Sequence, residues 1–126
     1  LSFGLLDMAY HANDLTEIND LQQFEKDTFN QTELYPEIDK NMMSTSFSHI
    51  FQGGYSSGYY SYKWAEVLDA DAFAFFQETG IFNPETAHKF YKLLSSGGTV
   101  EPMKLYEEFR GHKPTADALL KRAGLI

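Results

Sequence analysis

Hydrophobic positions recur at helical spacing in about six stretches of the chain, and polar or glycine-rich segments separate these stretches. The first stretch ends at Asn13. It predicts an amphipathic helix with one buried face, formed by Leu1, Leu5, Met8 and Ala12 and widened by Phe3 and Leu6. A second helix is predicted from Asp14, which with Glu17 resembles a capping box, to about Asn30. These two helices are expected to form a hairpin.

Helical periodicity is lost from Gln31 to Ser48, and glycines at 53, 54 and 58 follow. The resulting connection is longer than the roughly 12–15 residues usual for loops in compact domains. Its apolar content favours an ordered functional loop over disorder. A third helix is predicted to begin near Gly58 and to end at Gly80. It is apolar on almost every side, so we expect it to be buried on several faces.

Three further helices follow from local start and stop signals. Asn83 and Pro84 form an N-cap and a first helical residue, and glycines at 97 and 98 stop that helix. The next is predicted from about Pro102 to Phe109, with Gly111 as its stop, and the last from Pro114 to Gly124. No strand pattern occurs. The sequence therefore predicts an all-α fold in which residues 1–126 form a single helical unit, with the long Gly/Tyr-rich loop before the third helix.

Composition and charge narrow the classes of partner. Hydrophobic residues make up 43% and charged residues 22%, as in an ordinary soluble domain. The net charge of -8 disfavours nucleic acids and anionic membrane surfaces as partners. No apolar run approaches the roughly 20 residues needed to span a membrane. The absence of cysteine excludes disulfides and thiolate metal sites, and the cytoplasm is the expected compartment.

Several kinds of catalytic site lack their motifs in this sequence. The four histidines are not paired at helical spacing and no H-E-x-x-H occurs, so the chain has no self-contained zinc site by sequence. Serines follow His49, but without a G-x-S-x-G elbow. The glycine run also lacks the G-K-[ST] ending of a phosphate-binding loop.

A set of tyrosines around the third helix start is the strongest remaining candidate for chemistry. Tyr59 and Tyr62 are three residues apart and share a helix face, and Tyr55 can reach that side from the loop. A phenol is a hydrogen-bond donor at neutral pH and can stabilise an oxyanion, as can His49 at the base of the loop. The alternative is that these rings are core aromatics at helical spacing and that His49 is an ordinary loop histidine.

The segment F-S-H-I-F-Q-G-G-Y-S-S-G-Y-Y-S-Y-K-W-A-E-V, residues 47–67, resembles the C-terminal signature of the thimet oligopeptidase, neurolysin and dipeptidyl carboxypeptidase family of zinc metallopeptidases. The resemblance is strongest to the bacterial branch that includes oligopeptidase A. It extends over most of the chain, through L-L-D-M, S-T-S-F-S-H-I-F, A-D-A-F, G-I-F-N, G-G-T-V-E-P-M, F-R-G and A-L-L-K-R-A-G-L.

The resemblance implies a helical catalytic lobe beside a deep channel, of which this chain is the C-terminal part. It also implies that the zinc ligands belong to sequence preceding Leu1 and that the enzyme cleaves short peptides by water attack on a zinc-polarised carbonyl. Tyr62 then matches an oxyanion-binding tyrosine, and His49 a histidine that assists it. The implied substrate-binding residues are Tyr55, Tyr59, Gly53 and Gly54.

Expectations for the 126 residues alone are different from those for an intact enzyme. The fragment is expected to be inactive and to bind no stoichiometric zinc, because the implied zinc ligands lie outside it. Its implied partner is the remainder of the catalytic domain. Apolar faces of the first and third helices are expected to be exposed, which favours self-association. The alternative to an enzyme fragment is a non-catalytic helical module that binds peptides or other proteins.

Overall fold

The computed structural model describes residues 1–36 and 38–126, and this part of the chain contains seven α-helices and no β-strand. The all-α prediction is confirmed. The helices are α1 (Ser2–Ala12), α2 (Leu21–Phe29), α3 (His49–Gln52), α4 (Ser61–Thr79), α5 (Pro84–Ser95), α6 (Pro102–Arg110) and α7 (Asp117–Arg122). Short 3-10 helices cover Leu15–Glu17 and Met43–Thr45. Glu37, within the predicted long connection, lies outside the described residues.

The chain divides into two compact units, Leu1–Lys63 and Trp64–Ile126, and α4 begins in the first and continues through the second. The prediction that residues 1–126 form a single unit stays a prediction. In the first unit α1 packs against α2. Its buried core consists of Leu6, Tyr10, Phe47 and Ile50.

The face of α1 that is buried in the first unit differs from the predicted one. Leu6 is fully buried and Tyr10 nearly so, whereas Leu5 and Met8 are 39% and 41% exposed. The predicted stripe is therefore confirmed at Leu6, whereas the prediction that Leu1, Leu5 and Met8 form its buried centre was wrong. The cause is that α1 is apolar on two sides, and periodicity alone does not say which side meets the neighbouring elements.

The start of the second helix was also predicted wrongly. Asp14 accepts hydrogen bonds from the backbone N–H and the hydroxyl of Thr16, 3.0 and 2.7 Å away, and these bonds shape a turn that leads only into the first 3-10 helix. The N-cap of α2 is Asp20, which accepts from the N–H of Gln23 at 3.0 Å. The sequence offers two aspartates with cap chemistry, and the later one begins the helix.

The long connection contains more structure than predicted. The short helix α3 interrupts it, and the residues after Gly58 form tight turns before α4 begins at Ser61. The N–H of Ser61 bonds to the carbonyl oxygen of Gly58, and that of Tyr62 to Tyr59, three residues back in each case. This three-residue spacing is that of a tighter turn than the α-helix, so the helix starts later than the glycine signal indicates.

In the second unit, a cluster of phenylalanine rings holds α4, α5 and α6 together. Phe109 of α6 lies 5.3 Å from the ring of Phe75 and 5.4 Å from that of Phe90, measured between centroids. The predicted caps are confirmed: Asn83 accepts from the N–H groups of Glu85 and Thr86, and Gly111 ends α6 at a φ of 90°.

Burial of α4 on several faces is not observed. Trp64 is 43% and Phe73 50% exposed, although Ala70 and Asp71 are buried. Part of the apolar surface of α4 is therefore not covered by other residues in the described part of the chain. None of the helices in residues 1–36 and 38–126 has the length and hydropathy needed to cross a membrane.

Candidate functional site

The first unit brings together the four aromatic side chains singled out from the sequence. Tyr62 lies 4.9 Å from Tyr59 and 5.3 Å from Tyr55 between ring centroids, and the Tyr55 and Tyr62 rings are stacked. His49 lies 6.0 Å from Tyr55 and 6.0 Å from Tyr59. We call His49, Tyr55, Tyr59 and Tyr62 the aromatic cluster. Three different elements supply it, since His49 begins α3, Tyr55 and Tyr59 lie in the turns and Tyr62 is in the first turn of α4.

Within this cluster Tyr62 is the most exposed of the three tyrosines. It is 44% exposed, whereas Tyr55 and Tyr59 are half-buried. A hydrogen bond with Tyr55 raises the pKa of the Tyr62 phenol above its ordinary value of 10.0, which moves its deprotonation still further from neutral pH. The cluster therefore presents a protonated hydroxyl donor to the solvent side.

Tyr59 combines a place in the cluster with a packing role. Its ring makes an edge contact with Phe47, 4.8 Å between centroids, and it packs against the buried core of the first unit. The alternative of a core aromatic thus describes Tyr59 well. The neighbouring Tyr60 is 59% exposed.

Gly53 and Gly54 end α3, and each has a separate structural reason to be glycine. A Cβ on Gly53 would lie 2.9 Å from the carbonyl oxygen of His49 and 3.0 Å from its Cα, which backbone atoms do not tolerate. Gly54 has a φ of 77°, a left-handed conformation that costs other residues roughly 1–2 kcal/mol. Both glycines are thus needed for the approach of the chain to Tyr55, and their contact with substrate stays a prediction.

Sequence reasoning missed the buried carboxylate that faces this segment. Asp7 of α1 is fully buried, and its two oxygens accept the backbone N–H groups of Ser57 and Tyr59, each at 2.9 Å. His11 Nδ1 lies 2.9 Å from Asp7 Oδ1. The available signal was an acidic residue inside the apolar run L-L-D-M, because a carboxylate on a buried face requires partners.

The described ranges contain no candidate metal centre. No group of three His, Asp or Glu side chains in residues 1–36 and 38–126 is arranged to hold a metal ion. These residues therefore do not fit a zinc site, and the chemistry available to the cluster is that of phenol and imidazole groups.

The aromatic cluster and the segment around it fall within a recognised protein family. The family model described as Peptidase family M3 matches residues 1–125. The chain belongs to peptidase family M3. The relatives that it matches include oligopeptidase A from Haemophilus influenzae, with 44% identity over 100% of this chain. The probable cytosolic oligopeptidase A from Arabidopsis thaliana is 37% identical over 100% of it, and the dipeptidyl carboxypeptidase from Salmonella typhimurium 33% identical over 99%.

The M3 chain spans 19% of the length of each of these three relatives. The match of the family model to residues 1–125 confirms, at the level of the family, the resemblance found in the sequence motifs.

Proposed function

We propose that this chain forms the substrate-binding and oxyanion-stabilising part of a metallopeptidase that hydrolyses peptide bonds in short oligopeptides. The observation that carries the proposal is the contact of Tyr55 and Tyr59 with the exposed Tyr62. His49 adjoins the same group through its contacts with Tyr55 and Tyr59. Membership of peptidase family M3 supports it. The names of the relatives, oligopeptidase and dipeptidyl carboxypeptidase, support peptides as the substrate class.

The chemistry proposed for Tyr62 is hydrogen-bond donation to charge that develops during hydrolysis. When water attacks a peptide carbonyl, the carbonyl oxygen gains negative charge, and a donor already in place stabilises that charge more than it stabilises the ground state. The hydroxyl of a tyrosine can donate its hydrogen in more than one direction, so Tyr62 can exchange Tyr55 for a substrate oxygen. His49 supplies a second donor, and Tyr55 and Tyr59 line the approach.

Zinc in the intact enzyme is part of the proposal because of the family resemblance. The described residues of this chain do not fit a zinc site, so the remainder of the catalytic domain is its proposed source. The contribution of this chain is the positioning of substrate and the donation of hydrogen bonds.

The test is Tyr62→Phe in the full-length protein that carries this chain, assayed on short peptides. Removal of one oxyanion donor lowers kcat by about 100- to 1,000-fold in other hydrolases, and we expect a loss of this order with a nearly unchanged KM. Steady-state kinetics at saturating peptide measure it. Tyr60→Phe is the matched control, because Tyr60 is an exposed phenol two residues away, and its kcat should equal that of the wild type.

Equal turnover of Tyr62→Phe and the wild type would overturn the proposed role. Peptide binding by the full-length protein without hydrolysis of any peptide would instead favour a non-catalytic helical module. For the cellular location we propose the cytoplasm, which the word cytosolic in the name of the Arabidopsis relative supports. Cell fractionation with an antibody against the chain tests that location.

A further inference from the structure

We propose that Asp7 is a positioning residue that holds the tyrosines of the aromatic cluster in their catalytic arrangement. This inference rests on the proposed function and extends it to a residue of α1 that does not belong to the cluster. The carboxylate lies beneath the turn that joins Tyr55 to Tyr59, and it binds that turn through backbone N–H groups.

The contacts of Asp7 are those expected of a residue that fixes the position of the turn. Its side chain is fully buried, and each oxygen accepts one N–H: Oδ1 from Ser57 and Oδ2 from Tyr59, both at 2.9 Å. The ring of His11, one helical turn along α1, contacts Oδ1 as well. Hydrogen bonds to an ionised acceptor are shorter and stronger than bonds between neutral groups, so this buried charge is both satisfied and strongly held.

The bound turn has a conformation that requires such support. Ser57 has a φ of 56°, in the left-handed region that is unfavourable for residues with a side chain. The N–H of this residue and that of Tyr59 point to the same carboxylate. Loss of the carboxylate would release Ser57 to a more ordinary conformation and turn the chain before Tyr59.

Movement of this turn would be transmitted directly to Tyr62. Tyr59 contacts Tyr62 ring to ring at 4.9 Å, and Tyr55, on the other side of the turn, stacks on Tyr62 at 5.3 Å. A shift of about 1 Å in a catalytic group is enough to cost a large fraction of the rate. Asp7 therefore controls turnover without contact with substrate.

Glu25 of α2 provides a matched comparison in the same unit. It is also a buried carboxylate, and it accepts the N–H of Met43 at 2.7 Å and the hydroxyl of Tyr10 at 2.9 Å. It holds the second 3-10 helix, whereas Asp7 holds the turn of the aromatic cluster. If Asp7 only stabilised the fold, replacement of Asp7 and replacement of Glu25 would have the same effect on kcat.

The experiment compares Asp7→Asn, Glu25→Gln and Tyr62→Phe in the full-length protein, with kcat, KM and melting temperature measured for each. Asn and Gln keep the size of the side chain and remove its charge. We expect Asp7→Asn to lower kcat by about 10- to 100-fold, the range of a lost charge-assisted hydrogen bond, with KM almost unchanged. Glu25→Gln should lower the melting temperature similarly and leave the kcat of the folded enzyme at the wild-type level.

A loss of kcat in Tyr62→Phe together with equal kcat values for Asp7→Asn and Glu25→Gln would overturn the positioning role and leave the proposed function standing. Wild-type kcat in Tyr62→Phe would overturn the proposed function itself. Amide hydrogen exchange of the wild-type protein gives a test that does not depend on the folding of any variant. Slow exchange at Ser57 and Tyr59 supports the anchor, and exchange as fast as that of an open loop overturns it.

Discussion

Tyr106 of the second unit is bound to a buried acidic residue in a network that spans two helices. Its hydroxyl donates to Asp71 Oδ2 at 2.7 Å, and Arg110 Nε donates to the other oxygen of Asp71 at 3.0 Å. Arg110 also forms a two-fold pair with Glu78, at 2.8 and 2.7 Å. Burial, and then the hydrogen bond to Asp71, raise the pKa of Tyr106 well above its ordinary value of 10.0.

This pKa shift predicts that the stability of the chain falls at high pH. The folded state retains the Tyr106 proton where the unfolded chain loses it, so the stabilisation is complete below about pH 10 and is lost as the pH rises further. Tyr106→Phe should lower the free energy of unfolding by about 1 kcal/mol at neutral pH and weaken its decline above about pH 10. Urea unfolding at several pH values measures both.

Part of the decline should remain in Tyr106→Phe, because burial also raises the pKa of Tyr10. Tyr91→Phe removes an exposed phenol and is the control, with an expected decline equal to that of the wild type. The interpretation fails if Tyr106→Phe and the wild type lose stability identically between about pH 8 and pH 11.

At the level of single residues, the sequence indicated groups whose neighbours are local. Tyr59 and Tyr62 were predicted to share a side because they are three residues apart, and their rings do lie in contact. For Asp7 and Asp71, spacing gave no indication of the partners. Their partners lie tens of residues away, at Ser57 and Tyr106, and spacing in the sequence carries no information about such pairs.

At the level of elements, the helix ends were predicted best where the sequence offers a strong local cap signal. Asn83 with Pro84 and Gly111 after Arg110 mark ends that the structure confirms. Burial of helix faces was predicted poorly for α1 and α4 because both have more than one apolar side. The neighbouring elements decide which side is covered, and that choice is a tertiary property.

The two aspartates before α2 allow the corrected helix start to be tested. Asp20→Ala should destabilise the chain by about 1 kcal/mol, because it removes the acceptor of the Gln23 N–H. Asp14→Ala should have a smaller effect, because Asp14 supports only the turn at Thr16. Thermal unfolding monitored by circular dichroism compares them. A larger loss for Asp14→Ala would favour the helix start predicted from the sequence.

At the level of the whole chain, the main feature is apolar surface that the described helices do not cover. In the second unit, an apolar groove of about 640 Å³ lies between α4, α5 and α6, with Trp64, Phe73 and Leu94 in its lining. In the first unit, Leu5 and Met8 of α1 are exposed on one face. Surfaces of this kind are typical of interfaces with other protein segments.

The 126-residue chain studied alone should therefore self-associate as its concentration rises. Light scattering should show an increasing mean mass, and Phe73→Lys and Leu5→Lys should each reduce the increase by placing a charge on an apolar face. Gln77→Lys is the control, since it adds the same charge at an exposed polar position of α4. A constant monomer mass at high concentration would contradict this prediction.

The bond between Asp7 and the turn of the aromatic cluster also constrains the order of folding. The two hydrogen bonds join residues 50 and 52 positions apart in the sequence. A loop of that length closes at a substantial entropic cost, so such contacts form after the local helices have appeared. The left-handed turn at Ser57 lacks its acceptor until α1 has docked. The tyrosines should therefore reach their final arrangement late, as one of the last steps by which the first unit becomes native.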